Sequence, residues 1–190
     1  MPQFHDIGHY QFSSDDRLFF DTNIWITLFD CRTNPDRREN PNFVNIYGGA
    51  LKRATTAKSQ LFTHPFVVSE FINRMVHDEH RFQVGLGVAD KNFKAWRRST
   101  DYRNFAPIVA AQTRAFTSSC TLIEHSFDSG TFGKCLLAFE EDSCDLNDEL
   151  LLQICKDRRL TFVTHDGDFQ QADIPVLTAN PAYLRRTNAR

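Results

Sequence analysis

No stretch of this sequence approaches the ~20 consecutive apolar residues needed to cross a bilayer. Met1 to Arg17 is polar and lacks the apolar segment of a secretory signal. Neither a membrane span nor export is expected, and the cytoplasm is the expected compartment. Disulfide chemistry is poorly provided for as well. The five cysteines (Cys31, Cys120, Cys135, Cys144 and Cys155) are odd in number, far apart and without a CxxC pair, which argues against a disulfide framework and against a structural zinc site. A basic excess is also missing: the formal charge is −2, which excludes a generally basic nucleic-acid binder but leaves room for a local basic face.

What is present is a globular composition. Hydrophobic residues make up 41% of the 190, and 18 are Phe, enough for one domain with a sizeable core. The chain is organised around Leu18-Phe19-Phe20-Asp21-Thr22-Asn23-Ile24-Trp25, an apolar run that stops on an acid and turns. It predicts a short buried strand with Asp21 where the strand leaves the sheet. In open α/β sheets ligands bind beyond the carboxyl ends of the strands, so Asp21 can face a metal or a phosphate there. It can equally cap the helix that begins near Asn23. Upstream, His5 and His9 have a chelating spacing for a helix, but Gly8 and Pro2 argue against a helix, so residues 1–17 read as a polar tail.

Downstream the strand–helix pattern repeats. Phe43, Ile46, Tyr47, Ala50, Leu51 and Ala54 recur at helical spacing over Asn42 to Lys58, despite Gly48 and Gly49. Gln60 to Thr63 reads as a second strand, and Pro65 suits the first turn of the next helix. That helix carries a stripe of Val67, Val68, Phe71, Ile72, Met75 and Val76, with Glu70 at its edge and near the same rim as Asp21. Glu70 can be a site residue or a solvated helix acid. Residues 77–142 are less regular and read as a largely helical insertion. Within them Lys91, Lys94, Arg97, Arg98 and Arg103 are interleaved with Phe93, Trp96, Tyr102 and Phe105. Cations for phosphates and rings for base stacking suit single-stranded RNA, and Lys91, Lys94, Trp96, Arg97, Arg98 and Arg103 are the candidate contacts. The same pattern also fits an amphipathic helix with a core aromatic face. Cys120 to Glu124 and Cys135 to Phe139 each fit a strand or a buried helix.

Glu140 to Phe169 closes the pattern. A helix led by acids and trailed by bases starts near Asp148, and Leu160 to Thr164 forms a buried strand ending in His165-Asp166-Gly167-Asp168-Phe169. Two strand ends (Asp21, Asp166) and two helix starts (Glu70, Asp148) thus aim carboxylates at one side of a parallel βαβ sheet, with Asp168 and Asp145 in reserve. Crowded carboxylates need raised pKa values or a cation, and a hard ion such as Mg²⁺ or Mn²⁺ is the expected cofactor.

These residues resemble the PIN-domain nucleases, most familiarly the VapC-like toxins of toxin–antitoxin pairs. The resemblance rests on Phe20-Asp21-Thr22-Asn23, on Thr63 to Phe71 with Glu70 near its end, on Asp148 leading an apolar helix, and on Val163 to Phe169, where Asp148 lies 18 positions before Asp166. It covers roughly residues 18 to 76 and 143 to 178. The resemblance implies a three-layer α/β/α sandwich around a mainly parallel sheet, and metal-dependent endoribonuclease activity. It carries over to Asp21, Glu70, Asp148 and Asp166 as the catalytic acids, with Asp21, Asp148, Asp166 and Asp168 as metal ligands and Thr22, Asn23 and Thr164 as polar supports. The chain is longer than a small toxin of this type, mainly between Glu70 and Asp148. The expected partners are an RNA substrate, an antitoxin or inhibitor protein and a second copy in a homodimer. The alternatives are a housekeeping RNA-processing nuclease and a degenerate RNA-binding or interaction module of the same fold. A phosphatase with a phosphorylated Asp21 lacks a second Asp two residues on.

Overall fold

The computed structural model describes residues 3–34, 40–141, 145–169 and 173–187. Six parallel strands form one sheet in the order β1-β6-β5-β2-β3-β4, with β1 at Gln3–Asp6, β2 at Arg17–Phe20, β3 at Gln60–Thr63, β4 at Thr121–Leu122, β5 at Thr161–Val163 and β6 at Pro175–Thr178. The helices are α1 (Thr22–Phe29), α2 (Pro41–Thr56), α3 (Pro65–Gly85), α4 (Phe93–Trp96), α5 (Thr100–Thr117), α6 (Ser129–Glu141), α7 (Leu146–Arg158) and α8 (Pro181–Thr187). From β2 the chain steps outward to β3 and β4, then returns to β5 on the other side of β2 and steps out again to β6. Right-handed crossovers therefore place α1, α2, α3 and α5 on one face and α6 and α7 on the other. The helix contacts agree: α1 touches α2, α3 and α5, whereas α6 packs on α7. This is the three-layer α/β/α arrangement, and its topological switch point lies between β2 and β5.

The central strands are apolar on both faces, as a covered parallel sheet requires. Leu18, Phe19, Phe20, Phe162, Val163, Val176 and Leu177 are fully buried. On the α1 side, Trp25 stacks on Phe116 at 4.8 Å, and Phe71 meets the same ring edge-on at 5.1 Å. These contacts tie α1, α3 and α5 into one aromatic layer. Gly48 of α2 faces α1, where a β-carbon would make an ordinary contact with Leu28 Cδ2 at 3.6 Å.

Three sequence expectations change. Residues 1–17 are not simply a polar tail, because Gln3–Asp6 adds an edge strand to β6, with Phe4 opposite Val176 and Asp6 opposite Thr178. Phe4 stacks on Tyr183 at 4.5 Å, and the buried Ile7 donates its N–H to Thr178 O. A polar strand is tolerated at a sheet edge, where one side of it meets solvent. Residue 77 is no boundary, since α3 runs through it to Gly85 and α5 packs back on α3. The open segments resolve into a short edge strand at Thr121–Leu122 and a helix around Cys135. Part of the charged loop expected after Arg32, and Cys144, lie outside the described residues.

Candidate functional site

Asp21 sits one residue past β2, at the switch point, and its backbone N–H donates to Val163 O in β5. It is both of the things the sequence allowed. As the N-cap of α1 its Oδ1 accepts from Thr22 N at 2.6 Å, and as a site acid it is buried, with 5% exposure, among other carboxylates. Its Oδ2 accepts from Asn23 Nδ2 at 2.7 Å and from Thr164 Oγ1 at 2.7 Å. Asn23 Nδ2 also reaches Thr164 Oγ1, and Asn23 Oδ1 accepts from His165 N. The three polar residues named from the sequence thus form a network around Asp21, stitching the end of β5 to the start of α1.

Glu70 reaches the site from the second turn of α3. Its Oε2 accepts from Thr22 Oγ1 at 2.9 Å and from Asn147 Nδ2 at 3.1 Å, so one carboxylate joins α1, α3 and α7. Asp148 lies in the first turn of α7. That helix begins slightly earlier than expected, at Leu146, because Asp145 is its N-cap and accepts from Asp148 N at 2.9 Å. Asp166 is exposed; its N–H donates to Thr164 Oγ1, and its Oδ1 accepts from Asp168 N.

The acids feel one another. Burial, and after it the charges of Glu70 and Asp166, push the Asp21 carboxyl up to about 7 against the pull of the Thr164 hydroxyl and the Thr22 N–H. Burial also raises Asp148, to about 8, with added repulsion from Asp145, Asp21, Asp166 and Glu70. Among the described residues no three His, Cys, Asp or Glu side chains already form a group that could hold a metal ion. The donor chemistry nevertheless fits a hard divalent cation: the groups that crowd each other are carboxylates, the ligands such ions take, and a cation among them relieves the repulsion that raises Asp21 and Asp148.

A pH dependence follows for the metal-free protein. Both carboxyls have folded-state pKa values above the ~3.9 of an unfolded Asp. Their contribution to stability is fully present below that value and is lost as pH rises through about 7 for Asp21 and about 8 for Asp148. Melting temperature measured in chelator should therefore fall from mildly acidic pH and level off past pH 8. Asp21→Asn should make the fall shallower, and an unchanged slope would mean that Asp21 is not a titrating group.

The basic and aromatic residues of 91–105 do not border this site. Trp96 is a core residue: it is 1% exposed, and its Nε1 donates to Gln83 Oε1 at 2.8 Å. That corrects the expectation that its ring is free to stack on a base. Gln83 lies 13 residues beyond Glu70 on α3, or ~20 Å along the axis at 1.5 Å per residue. Lys91, Lys94, Arg97, Arg98 and Arg103 are exposed around that distant end. A cation does lie beside the acids: the Arg74 guanidinium is 3.7 Å from Glu70 Oε1. Asn147, Tyr47, His165 and Arg74 were not foreseen as site residues. Asn147 had one available signal, its place directly before Asp148.

Solved structures with this fold include VapBC2 from Rickettsia felis bound to a DNA fragment from their promoter, which matches over 85% of this chain and 97% of that chain at 14% identity and TM-score 0.54. PAE2754 from Pyrobaculum aerophilum matches over 92% and 97% at 12% identity and TM-score 0.50. No family model matches the chain, and no curated protein does either. Likeness at this identity concerns architecture, and the architecture is the PIN-like α/β/α fold that the sequence resemblance implied.

Proposed function

We propose that this PIN-like chain is a Mg²⁺- or Mn²⁺-dependent endoribonuclease, with Asp21, Glu70, Asp148 and Asp166 as its catalytic acids. The observation that carries the reading is the crowding of acids at the switch point: Asp21 is buried there, Thr22 and Asn147 hold Glu70 toward it, and burial first, then charges that include those of Glu70 and Asp166, raise both Asp21 and Asp148. Asp21, Asp148 and Asp166 would hold the ion, with Asp168 as an outer ligand. When bound, such an ion lowers the pKa of a water for attack on a phosphodiester and offsets charge on the leaving oxygen. The chain's own part is placement. Thr164, Asn23 and the Thr22 N–H fix both oxygens of Asp21, while Thr22 and Asn147 fix Glu70, so these carboxylates are oriented before substrate arrives.

The likeness to VapBC2 supports a toxin of a toxin–antitoxin pair, with an antitoxin as the protein partner. Among the described residues no helix is long and apolar enough to cross a membrane. Single Asn substitutions at Asp148 and Asp145 test the assignment. Asp145→Asn keeps a good N-cap and should leave cleavage of single-stranded RNA in Mn²⁺ within a few-fold of the parent, whereas Asp148→Asn should remove it. If Asp145→Asn proves the more damaging, the acids have been assigned out of register by three residues.

A further inference from the structure

Beside the acids lies a groove of about 270 Å³ whose walls include Asn23, Thr27, Phe43, Arg74, His165 and Asp166. The nuclease reading uses Asn23 and Asp166 and leaves Phe43, Arg74 and His165 without a role. Phe43, from the first turn of α2, and His165, just past β5, hold their rings 4.0 Å apart at 48°. The imidazole is anchored from behind. The Tyr47 hydroxyl stands 2.9 Å from His165 Nδ1 and accepts from Ala179 N at 2.9 Å. The same hydroxyl lies 3.3 Å from the Thr164 carbonyl, to which it can donate, so the ring is held in place at Nδ1 and its Nε2 edge is left for the groove. Asn180 Nδ2 fixes the backbone by donating to His165 O. Arg74 lines the same groove with 53% of its side chain exposed.

A cation, an anchored imidazole and a partly exposed aromatic ring thus meet in one concavity that includes Asp166. The cation suits a phosphate, and the ring suits a base that has left its stack. A base inside a duplex has both faces covered and offers nothing to Phe43. The volume lies just under the ~300–1,000 Å³ of ordinary ligand pockets, space for part of one nucleotide. We infer that this groove seats one unpaired nucleotide adjoining the cleaved phosphodiester, its base on Phe43 and its phosphate on Arg74, with the anchored His165 ring as the wall behind Phe43. The inference rests on the nuclease reading and adds the residues that seat the nucleotide beside the cleaved bond.

The test measures fluorescence anisotropy in chelator, where cleavage is absent, using a short single-stranded RNA, a set of the same RNA with one abasic position each, and the matching duplex. The parent should prefer the single strand, and one abasic position should weaken binding by about five- to a hundredfold. Phe43→Leu keeps the buried contact but has no π face. It should weaken the intact RNA by a similar factor and abolish the abasic penalty at that position, with an unchanged melting temperature. Arg74→Ala should weaken every RNA and flatten the salt dependence, and Arg74→Lys should restore part of both. Phe43→Leu binding as the parent does, a persisting abasic penalty, or equal affinity for duplex would each overturn the inference; the first would leave the groove to a protein side chain. Cleavage by the parent in Mn²⁺, run in parallel, reads the nuclease assignment separately. Cleavage without Phe43-dependent binding removes the groove and keeps the nuclease, whereas Phe43-dependent binding without cleavage does the reverse.

Discussion

Asp21→Asn is expected to lower metal-dependent RNA cleavage by at least about a thousandfold, more than the ~10–100-fold typical of losing a residue that only supports a metal ligand. The substitution keeps the side chain's shape and removes its charge. It also turns an acceptor into a donor: Asp21 Oδ2 takes hydrogen bonds from both Asn23 Nδ2 and Thr164 Oγ1. The Thr164 hydroxyl already accepts from Asn23 Nδ2 and Asp166 N, and the Asn23 amide cannot turn without giving up the His165 N–H that its Oδ1 accepts. Donor–donor contacts are therefore left in the network, at ~1–3 kcal/mol each. Relief of repulsion among the buried acids opposes that cost near neutral pH and above, so the variant should fold and melt within several degrees of the parent. Cleavage at matched folded fraction is the measurement. Parental activity in a folded Asp21→Asn would remove Asp21 from the chemistry.

The largest stability effect should come from a residue that has nothing to do with the acids. Trp96→Ala is expected to destabilise the protein by ~3–5 kcal/mol, as truncation of a large core side chain does. The indole touches the rings of His80, Phe93 and Tyr102 at 5.0, 5.8 and 5.3 Å, and its N–H is matched by Gln83, so removal leaves both a cavity and an unpaired amide oxygen. For a chain of this length that corresponds to a fall of roughly 6–20 °C in melting temperature. RNA affinity per folded molecule should be unaffected. A variant that melts like the parent but binds RNA weakly would restore Trp96 to the nucleic-acid surface.

Trp96 also marks where the sequence stops being legible. Spacing places Phe93, Trp96, Tyr102 and Phe105 on helical faces, but cations at the neighbouring positions suit a solvated wall of a core helix as well as an RNA track. Only the position of α4 against the far end of α3 decides which face is wet. The strands at β2, β3 and β5 could be read because each has a short apolar centre (Leu18 to Phe20, Leu61-Phe62, Phe162-Val163) bounded by polar residues, and that pattern placed Asp21 and Asp166 at or just past strand ends. The edge strand β1 could not, because Gln3-Phe4-His5-Asp6 is polar and becomes a strand only through its register with β6, some 170 residues on. The acids were visible singly. Their coupling was not, because the Thr22 and Asn147 bonds that hold Glu70 join positions 48 and 77 residues apart. Tyr47 read as one more core position of an amphipathic helix, and its hydroxyl's grip on His165 has no counterpart in the sequence pattern.

The claim on which the rest depends is that the carboxylates at the switch point gather around a divalent ion. Isothermal titration of Mn²⁺ into chelator-stripped, full-length protein tests it most directly, with Asp166→Asn as the control because Asp166 is exposed and its loss leaves the core intact. Saturable binding by the parent that is weakened at least about tenfold in Asp166→Asn, with the melting temperature unchanged, is the predicted result. No saturable binding by the folded parent, or binding of equal strength in the variant, would contradict it.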